Sequence, residues 1–368
     1  MKVLIVNESL KLGGAESMSV ELANALVGEK IEVYFASSIG PLVKRLKADI
    51  DFFDIPKFHI FSIRKIIYAL LEIISKIKPD IIHSQGATLA TLVGISTHKA
   101  HSNSFKILTH HSKKFTRVAR FLVTYLLNKY CDHIIAISQS KYNELQRIGI
   151  FHSKISLIPN FVDFNQINGL INSFNKNLIR QELKIPKNNY IITMIGRLIL
   201  AKRFDKFIKI LAQFSIRSKK ELVGLIIGDG PAQKKLENLA HYYSDKVKIF
   251  FLGYQSDIYK YLSISDIFLF PSEHEVLPMV LIEASATGVP IVCSNTLGNN
   301  DIVKDGQNGF LISDSEEEYA NCILKILNDN DLALKMSNNG IKVVRNKFDK
   351  NKVVNEIISL YKSLINTK

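Results

Sequence analysis

Two glutamates eight positions apart, Glu275 and Glu283, lie in the segment Pro271-Ser272-Glu273-His274-Glu275-Val276-Leu277-Pro278-Met279-Val280-Leu281-Ile282-Glu283-Ala284. Glu275 is expected in a loop just after a strand, and Glu283 on the helix that follows. Pro278 suits the first turn of that helix, where a missing N–H costs nothing, and Gly288 suits its end. Two carboxylates at such a corner can grip a polyhydroxylated ligand, because their oxygens accept several hydroxyl hydrogen bonds. A loop acid and a helix acid on a solvated face would look the same in sequence.

A second group carries the opposite sign. Met194-Ile195-Gly196-Arg197-Leu198-Ile199-Leu200-Ala201-Lys202-Arg203-Phe204 ends a strand and holds Arg197 and Lys202, with Gly196 allowing close backbone approach. Two cations in one loop suit a diphosphate, with ordinary solvated basic residues as the alternative. Gly13 and Gly14, in Leu12-Gly13-Gly14-Ala15-Glu16, suit backbone N–H groups reaching an anion at a helix N-terminus, or simply a tight turn. They do not form G-x-G-x-x-G, which argues against a nicotinamide enzyme. Gly228-Asp229-Gly230-Pro231 is a similar strand-to-helix turn.

His83 and the pair His110-His111 are also expected at strand ends. There they could bond a hydroxyl or move a proton, or serve as satisfied structural residues. They lack a Cys or carboxylate at ligand spacing, so no metal site is expected. Asp49/Asp51 and Asp329/Asp331 could chelate Mg²⁺ but read better as solvated turns.

The elements that must hold these residues follow from hydropathy. β-Branched runs at Lys2–Val6, Ile31–Ala36, Asp80–His83, Lys106–His110, His133–Ile137 and Lys154–Pro159 do not alternate strictly, which marks strands buried on both faces. Helical patterns near 63–78, 87–99, 115–130 and 139–148 separate them. The rhythm breaks between Phe164 and Asn189, an Asn- and Lys-rich stretch read as the interdomain connection. It then restarts with strands near 190–196, 222–228, 247–252, 266–270, 290–293 and 310–312, and helices near 202–216, 231–243, 278–287 and 315–328. The expectation is α/β: two doubly wound parallel-sheet domains, 1–170 and 171–345, facing across a cleft. A helix within 346–368 is expected to pack back toward the N-terminal domain. In such sheets ligands bind at the carboxyl ends of the strands.

The 368 residues carry 48 Lys/Arg against 34 Asp/Glu, a net charge of +14 that predicts an anionic partner. Residues 55–131 hold twelve basic residues against Glu72 and Asp80. Much of that charge lies on 57–78 and 113–129. Lys113-Lys114-Phe115-Thr116-Arg117-Val118-Ala119-Arg120-Phe121-Leu122 suits either an anionic lipid surface or a core-packed helix with a solvated basic face. No helix-turn-helix, RNA-recognition motif or zinc finger appears, so nucleic acid is not an expected partner. Cys131, Cys293 and Cys322 are too few and scattered for a disulfide framework. With no 18-residue apolar run and no signal-peptide core, a cytoplasmic protein is expected, with peripheral attachment at the inner face of the membrane as an extension of the lipid reading.

Taken in order along the chain, these segments resemble the family-4 retaining glycosyltransferases, which have the GT-B fold. The resemblance runs through Gly13–Glu16, Asp80–His83, Thr109–His111, Ile158-Pro159-Asn160, Gly196-Arg197-Leu198, Gly228–Pro231, Phe251-Leu252-Gly253 and the Glu-x7-Glu pair. It implies that Arg197 and Lys202 hold the donor diphosphate, Glu275 faces the donor sugar, Glu283 binds the ribose and His111 contacts the sugar near the reacting carbon. It adds Gly13, Gly14, Gly196, Gly230, Tyr254, Leu277, Pro278, Met279 and Val280 to the donor-binding set. The sequence departs from the family where Val276-Leu277-Pro278 replaces Gly-Phe-Gly, where Phe161 replaces a glycine before Val162-Asp163, and where Arg203 replaces the glycine after Lys202.

The implied activity is metal-independent transfer of a hexose or N-acetylhexosamine from a nucleotide sugar, a UDP-sugar by resemblance, with no cofactor. The implied acceptor is a saccharide or lipid-linked saccharide of a cell-surface polysaccharide. A sugar-nucleotide epimerase of the same fold, and a non-catalytic protein that binds sugar nucleotide or anionic lipid, stand as alternatives.

Overall fold

The computed structural model describes residues 1–111, 117–217, 221–313 and 315–367. They form two compact units. Met1–Phe161 and Lys350–Lys368 make the first, and Val162–Asp349 the second.

The first unit runs β1 (Lys2–Ser9), α1 (Gly14–Gly28), β2 (Glu32–Ser38), β3 (Asp51–Asp54), α2 (Ile63–Ile77), β4 (Ile81–Gln85), α3 (Ala87–Lys99), β5 (Phe105–His110), α4 (Arg117–Tyr130), β6 (His133–Ala136), α5 (Gln139–Arg147) and β7 (Ile155–Leu157). Its sheet is seven-stranded and wholly parallel, ordered β3-β2-β1-β4-β5-β6-β7. Val3 to Val6 and Ile81 to Gln85 are buried throughout, as strands covered on both faces must be. α2 and α3 cover one part of the sheet with Ile66, Leu70, Ile74, Leu89 and Val93.

The second unit runs α6 (Phe164–Ser173), α7 (Lys176–Glu182), β8 (Tyr190–Ile195), α8 (Phe204–Arg217), β9 (Leu222–Ile227), α9 (Gln233–Tyr242), β10 (Lys248–Phe251), α10 (Tyr259–Leu262), β11 (Ile267–Phe270), α11 (Met279–Ala286), β12 (Ile291–Ser294), β13 (Gly309–Ile312), α12 (Glu316–Asn328) and α13 (Asn330–Lys347). Its sheet is parallel and six-stranded, ordered β10-β9-β8-β11-β12-β13. The chain then re-enters the first unit as α14 (Lys350–Ile365), which buries Val353, Val354, Ile357, Ile358 and Tyr361.

Three features differ from the sequence expectation. The chain passes between units at Phe161/Val162 and Asp349/Lys350, rather than near 170 and 345. The stretch read as a connection forms α6 and α7, because Asp163 and Asn175 each accept a backbone N–H at a helix start, from Gln166 and Leu178. Asp51 is no solvated turn: it opens β3, a short edge strand whose two aspartates hide its pattern. The helix implied after the Asp329/Asp331 turn, for which the sequence reading sets no range, is α13, and a small residue lets it approach α11 closely. A Cβ on Gly340 would lie 3.6 Å from the Ser285 carbonyl oxygen, and Asp329 caps the helix start at 2.9 Å.

Candidate active site

Each sheet reverses its strand order once, between β1 and β4 in the first unit and between β8 and β11 in the second. Loops diverge at such a point and leave room for a ligand.

In the second unit Lys202 follows β8 and Glu275 follows β11, so the two loops flank the reversal. The Lys202 ammonium donates to Glu275 Oε1 at 2.6 Å. Glu275 is nearly buried, its side chain 9% exposed, so the pair is a charge-assisted bond in a partly dry site. Lys202 also lies over the Phe270 ring, 5.2 Å from its centroid. Arg197 is exposed at the tip of the same β8 loop. Arg203, the next cation, turns away to Glu273 and Asp205 and does not join Lys202. Beside this second pair a cavity of about 640 Å³ opens between α8 and α9, lined among others by Leu200, Phe204, Lys209, Lys235 and Tyr242.

Three loops of the second unit are tied by backbone bonds. Leu198 N–H donates to Asp229 O at 2.7 Å, and Gly228 N–H donates to Gly253 O at 2.7 Å. A Cβ on Gly228 would lie 2.0 Å from Gly196 O, and one on Gly230 2.5 Å from Leu198 O. Only glycine permits this approach, which explains the Gly-Asp-Gly turn better than a free anion-binding loop does. Tyr254 stands exposed just after Gly253.

Leu277 and Pro278 are buried, and Met279 and Val280 half-buried, at the start of α11. Pro278 is the cap residue rather than the first helical one, in extended conformation with φ −73° and ψ 115°. Gly288 ends the helix at φ +75°, as expected of a glycine there. Glu283 sits half-buried on α11.

In the first unit Gly13 caps α1. A Cβ on Gly13 would lie 2.2 Å from the Glu16 carboxylate, the movable end of a flexible side chain, so the space at this helix start does not by itself require glycine. The histidines gather around β4 and β5. His83 Nδ1 lies 2.6 Å from the Tyr361 hydroxyl and its Nε2 2.6 Å from Thr109 Oγ1. His111 Nε2 lies 2.7 Å from Gln85 Oε1. Burial pushes His83 and His110 down to about 3, and His111 down to about 4. All three are therefore neutral at pH 7. His83, expected only as a strand-end candidate, fastens α14. His111 remains half-buried at the strand end.

Sequence reasoning misses two partners in these networks: Gln85, which accepts from His111, and Ser272, whose hydroxyl donates to Glu275 Oε1 at 2.5 Å. Ser272 and Gln85 were passed over because each is a common polar residue beside a more conspicuous charged or aromatic one. Their positions three before Glu275 and two after His83 were the available signal. Among the described residues no cluster of His, Cys, Asp or Glu could hold a metal ion.

The model described as "Glycosyltransferase Family 4" matches residues 12–166, and that described as "Glycosyl transferases group 1" matches 175–343. The chain belongs to this glycosyltransferase family. Among relatives, an Escherichia coli UDP-Gal:α-D-GlcNAc-diphosphoundecaprenol α-1,3-galactosyltransferase is 28% identical over 97% of this chain and 95% of its own. The capsular polysaccharide biosynthesis glycosyltransferase CapM of Staphylococcus aureus is 25% identical over 92% and 91%. Among solved structures, Anabaena HepE in complex with UDP-glucose superposes with a TM-score of 0.83, at 21% identity and over 99% and 100% of the two chains. The GT-B glycosyltransferase fold follows.

Proposed function

We propose that this glycosyltransferase is a retaining enzyme that moves a hexose or N-acetylhexosamine from a UDP-sugar to a saccharide or lipid-linked saccharide in cell-surface polysaccharide synthesis. The observation that carries the reading is the Lys202–Glu275 pair, held at 2.6 Å beside the strand-order reversal of the second unit. An acid that faces sugar hydroxyls and a cation that faces phosphate are the two groups such a donor requires. The donor and acceptor classes rest on the E. coli relative's name and on the UDP-glucose bound by HepE.

The chemistry then runs as follows. The bond from the anomeric carbon to the diphosphate oxygen breaks, and Arg197 and Lys202 stabilise the negative charge that gathers on the leaving group. The acceptor oxygen attacks from the leaving-group face, and its proton passes to a diphosphate oxygen. Glu275 positions the sugar, and its charge favours the cationic ring. His111 is neutral; with its Nε2–H given to Gln85 Oε1, its Nδ1 can accept one hydrogen bond near the reacting carbon. Glu283 meets the ribose hydroxyls, and Gly13, Gly14, Gly196, Gly230, Tyr254 and residues 277–280 frame the donor. The two cations supply the charge that a divalent metal would otherwise bring, so no metal is required.

The test is mass spectrometry of products from a UDP-sugar panel with a membrane extract as acceptor. A sugar-bearing product that persists in excess EDTA is expected. An isomerised sugar nucleotide formed without acceptor would replace this reading by an epimerase, and strict Mn²⁺ dependence would remove the metal-free step.

For the lipid-linked acceptor, the first unit offers an anionic membrane a docking surface. Ile60 is 70% exposed and Phe61 87% exposed, and both stand before α2 beside exposed Lys57, Arg64 and Lys65. Phe121, Leu122 and Tyr125 are exposed on α4. Lys113 and Lys114, with the side chains of Arg117 and Arg120, lie outside the described residues. Among the described residues no helix is long and apolar enough to cross a membrane. Phe61→Ser should weaken sedimentation with phosphatidylglycerol vesicles several-fold; unchanged binding would remove the surface.

A further inference from the structure

We propose that Ser272 is a positioning residue that decides which oxygen of Glu275 is offered to the donor sugar. This rests on the reading of Glu275 as the sugar-facing acid. Ser272 is fully buried, at 0% exposure, in the turn that leaves β11. Its hydroxyl donates to Glu275 Oε1 at 2.5 Å. Lys202 donates to the same oxygen at 2.6 Å. Among the described residues nothing bonds Oε2, so the two donors converge on one oxygen and leave the lone pairs of the other for hydroxyl groups.

The two donors differ in what an arriving donor molecule does to them. A diphosphate competes with Glu275 for the Lys202 cation, and a carboxylate held by Lys202 alone would lose its anchor at that moment. A neutral serine hydroxyl gives a diphosphate far less to attract, so its bond to Glu275 persists. The serine is itself fixed from behind. Ser294 Oγ donates to the Ser272 carbonyl, and Asn299, at 0% exposure, donates from Nδ2 to Ser294 O at 2.8 Å and to Ser294 Oγ at 3.2 Å. The Ser272 hydroxyl also lies 3.3 Å from Ala201 O, on the Lys202 loop. Having one proton, it can serve only one acceptor well, and the shorter, charged contact is the stronger.

A hydrogen bond to a charged group is worth roughly ten- to a hundredfold in rate when its geometry matters in the transition state. Ser272→Ala should therefore lower kcat by about tenfold to a hundredfold, while the KM for the UDP-sugar moves less than about threefold. Ser272→Thr, which keeps the hydroxyl, should recover most of the loss. The deciding measurement is the same substitution in Glu275→Ala, with residual product counted by mass spectrometry over long incubation. With no carboxylate to orient, Ser272→Ala should change that residual rate less than twofold.

An equal loss in both backgrounds would show that Ser272 only supports the turn, and would overturn the proposal. Full activity of Glu275→Ala with Ser272 intact would instead sink the donor-site reading itself. If Ser272→Ala does not stay folded at the assay temperature, Ser294→Ala carries the same cycle one link back, with the same outcomes deciding.

Discussion

The two units use the same architecture for opposite electrostatics. The second unit holds 23 Lys/Arg against 21 Asp/Glu, and its site charges meet each other: Lys202 with Glu275, Arg203 with Glu273 and Asp205. The first unit holds 25 against 13, yet the strand ends of β4 and β5 carry neutral groups, His83, His111, Gln85 and Thr109, bonded among themselves. The unit with the large surplus ends β4 and β5 in uncharged groups, and the nearly balanced unit builds its candidate site from ions. Net charge therefore locates a surface, whereas site chemistry depends on which charges are paired beside the strand-order reversal.

The largest effect should come from separating the ion pair. Glu275→Ala is expected to lower transfer by at least about a hundredfold, the scale of losing a preorganised charge at a reacting centre. Lys202→Met should cost a similar factor, and it also leaves a nearly buried carboxylate without its cation, destabilising the fold by about 1–3 kcal/mol. Glu275→Ala leaves an ammonium that is 24% exposed and can hydrate, so its melting temperature should fall less. Steady-state rates and thermal melts of both variants check this. A Lys202→Met protein as active and as stable as the parent would mean that the second unit's charges are ornamental, and the contrast between units would fail.

What the sequence disclosed divides along the same line. Strands buried on both faces announce themselves by β-branched runs, so twelve of the thirteen strands among the described residues are legible in the sequence; β3 is masked by Asp51 and Asp54 at a sheet edge. The charged candidate residues are legible because Arg, Lys and Glu after strands are conspicuous. Their pairing is not, since Lys202 and Glu275 are 73 positions apart and only the parallel adjacency of β8 and β11 brings them together. The role of His83 was hidden for the same reason: its partner Tyr361 lies on a helix that returns to the first unit after the whole second unit has been built.

Acidification should separate the units next. His83 and His110, pushed down to about 3 by burial, stay neutral in the native state, whereas the unfolded chain protonates them near 6.5. Between those values the unfolded state binds more protons, so stability rises with pH and is lost as pH falls below about 6.5. At pH 5 the loss is about 2 kcal/mol for each of the two. His133 is lowered as well and adds in the same direction. The second unit has only His241 and His274, both exposed. Peptide-resolved hydrogen exchange at pH 7 and pH 5, corrected for the intrinsic rate, should show β4, β5 and β6 losing protection while β8 and β9 keep theirs. Equal loss in both sheets would show that the buried histidines do not set the acid limit.

The smallest expected effect tests whether one hydrogen bond matters to how α14 is held. Val353, Val354, Ile357 and Ile358 already bury an apolar face there, and the Tyr361 hydroxyl adds one bond to His83 Nδ1. Tyr361→Phe keeps the ring and its edge-on contact with the imidazole, at 5.9 Å between centroids, but strands a ring nitrogen at a site with 0% exposure. An unmet buried polar group costs about 1–3 kcal/mol, which corresponds to a fall of about 2–4 °C in melting temperature for each kcal/mol in a unit of this size. His83→Leu removes the stranded nitrogen together with its bond. In that background Tyr361→Phe should cost little, because the hydroxyl then has no ring nitrogen to satisfy. If Tyr361→Phe is neutral in the parent as well, with exchange over residues 350–365 unchanged, the apolar face alone holds α14. The neutral network of the first unit would then be packing, not a fastening matched to the ion pair of the second.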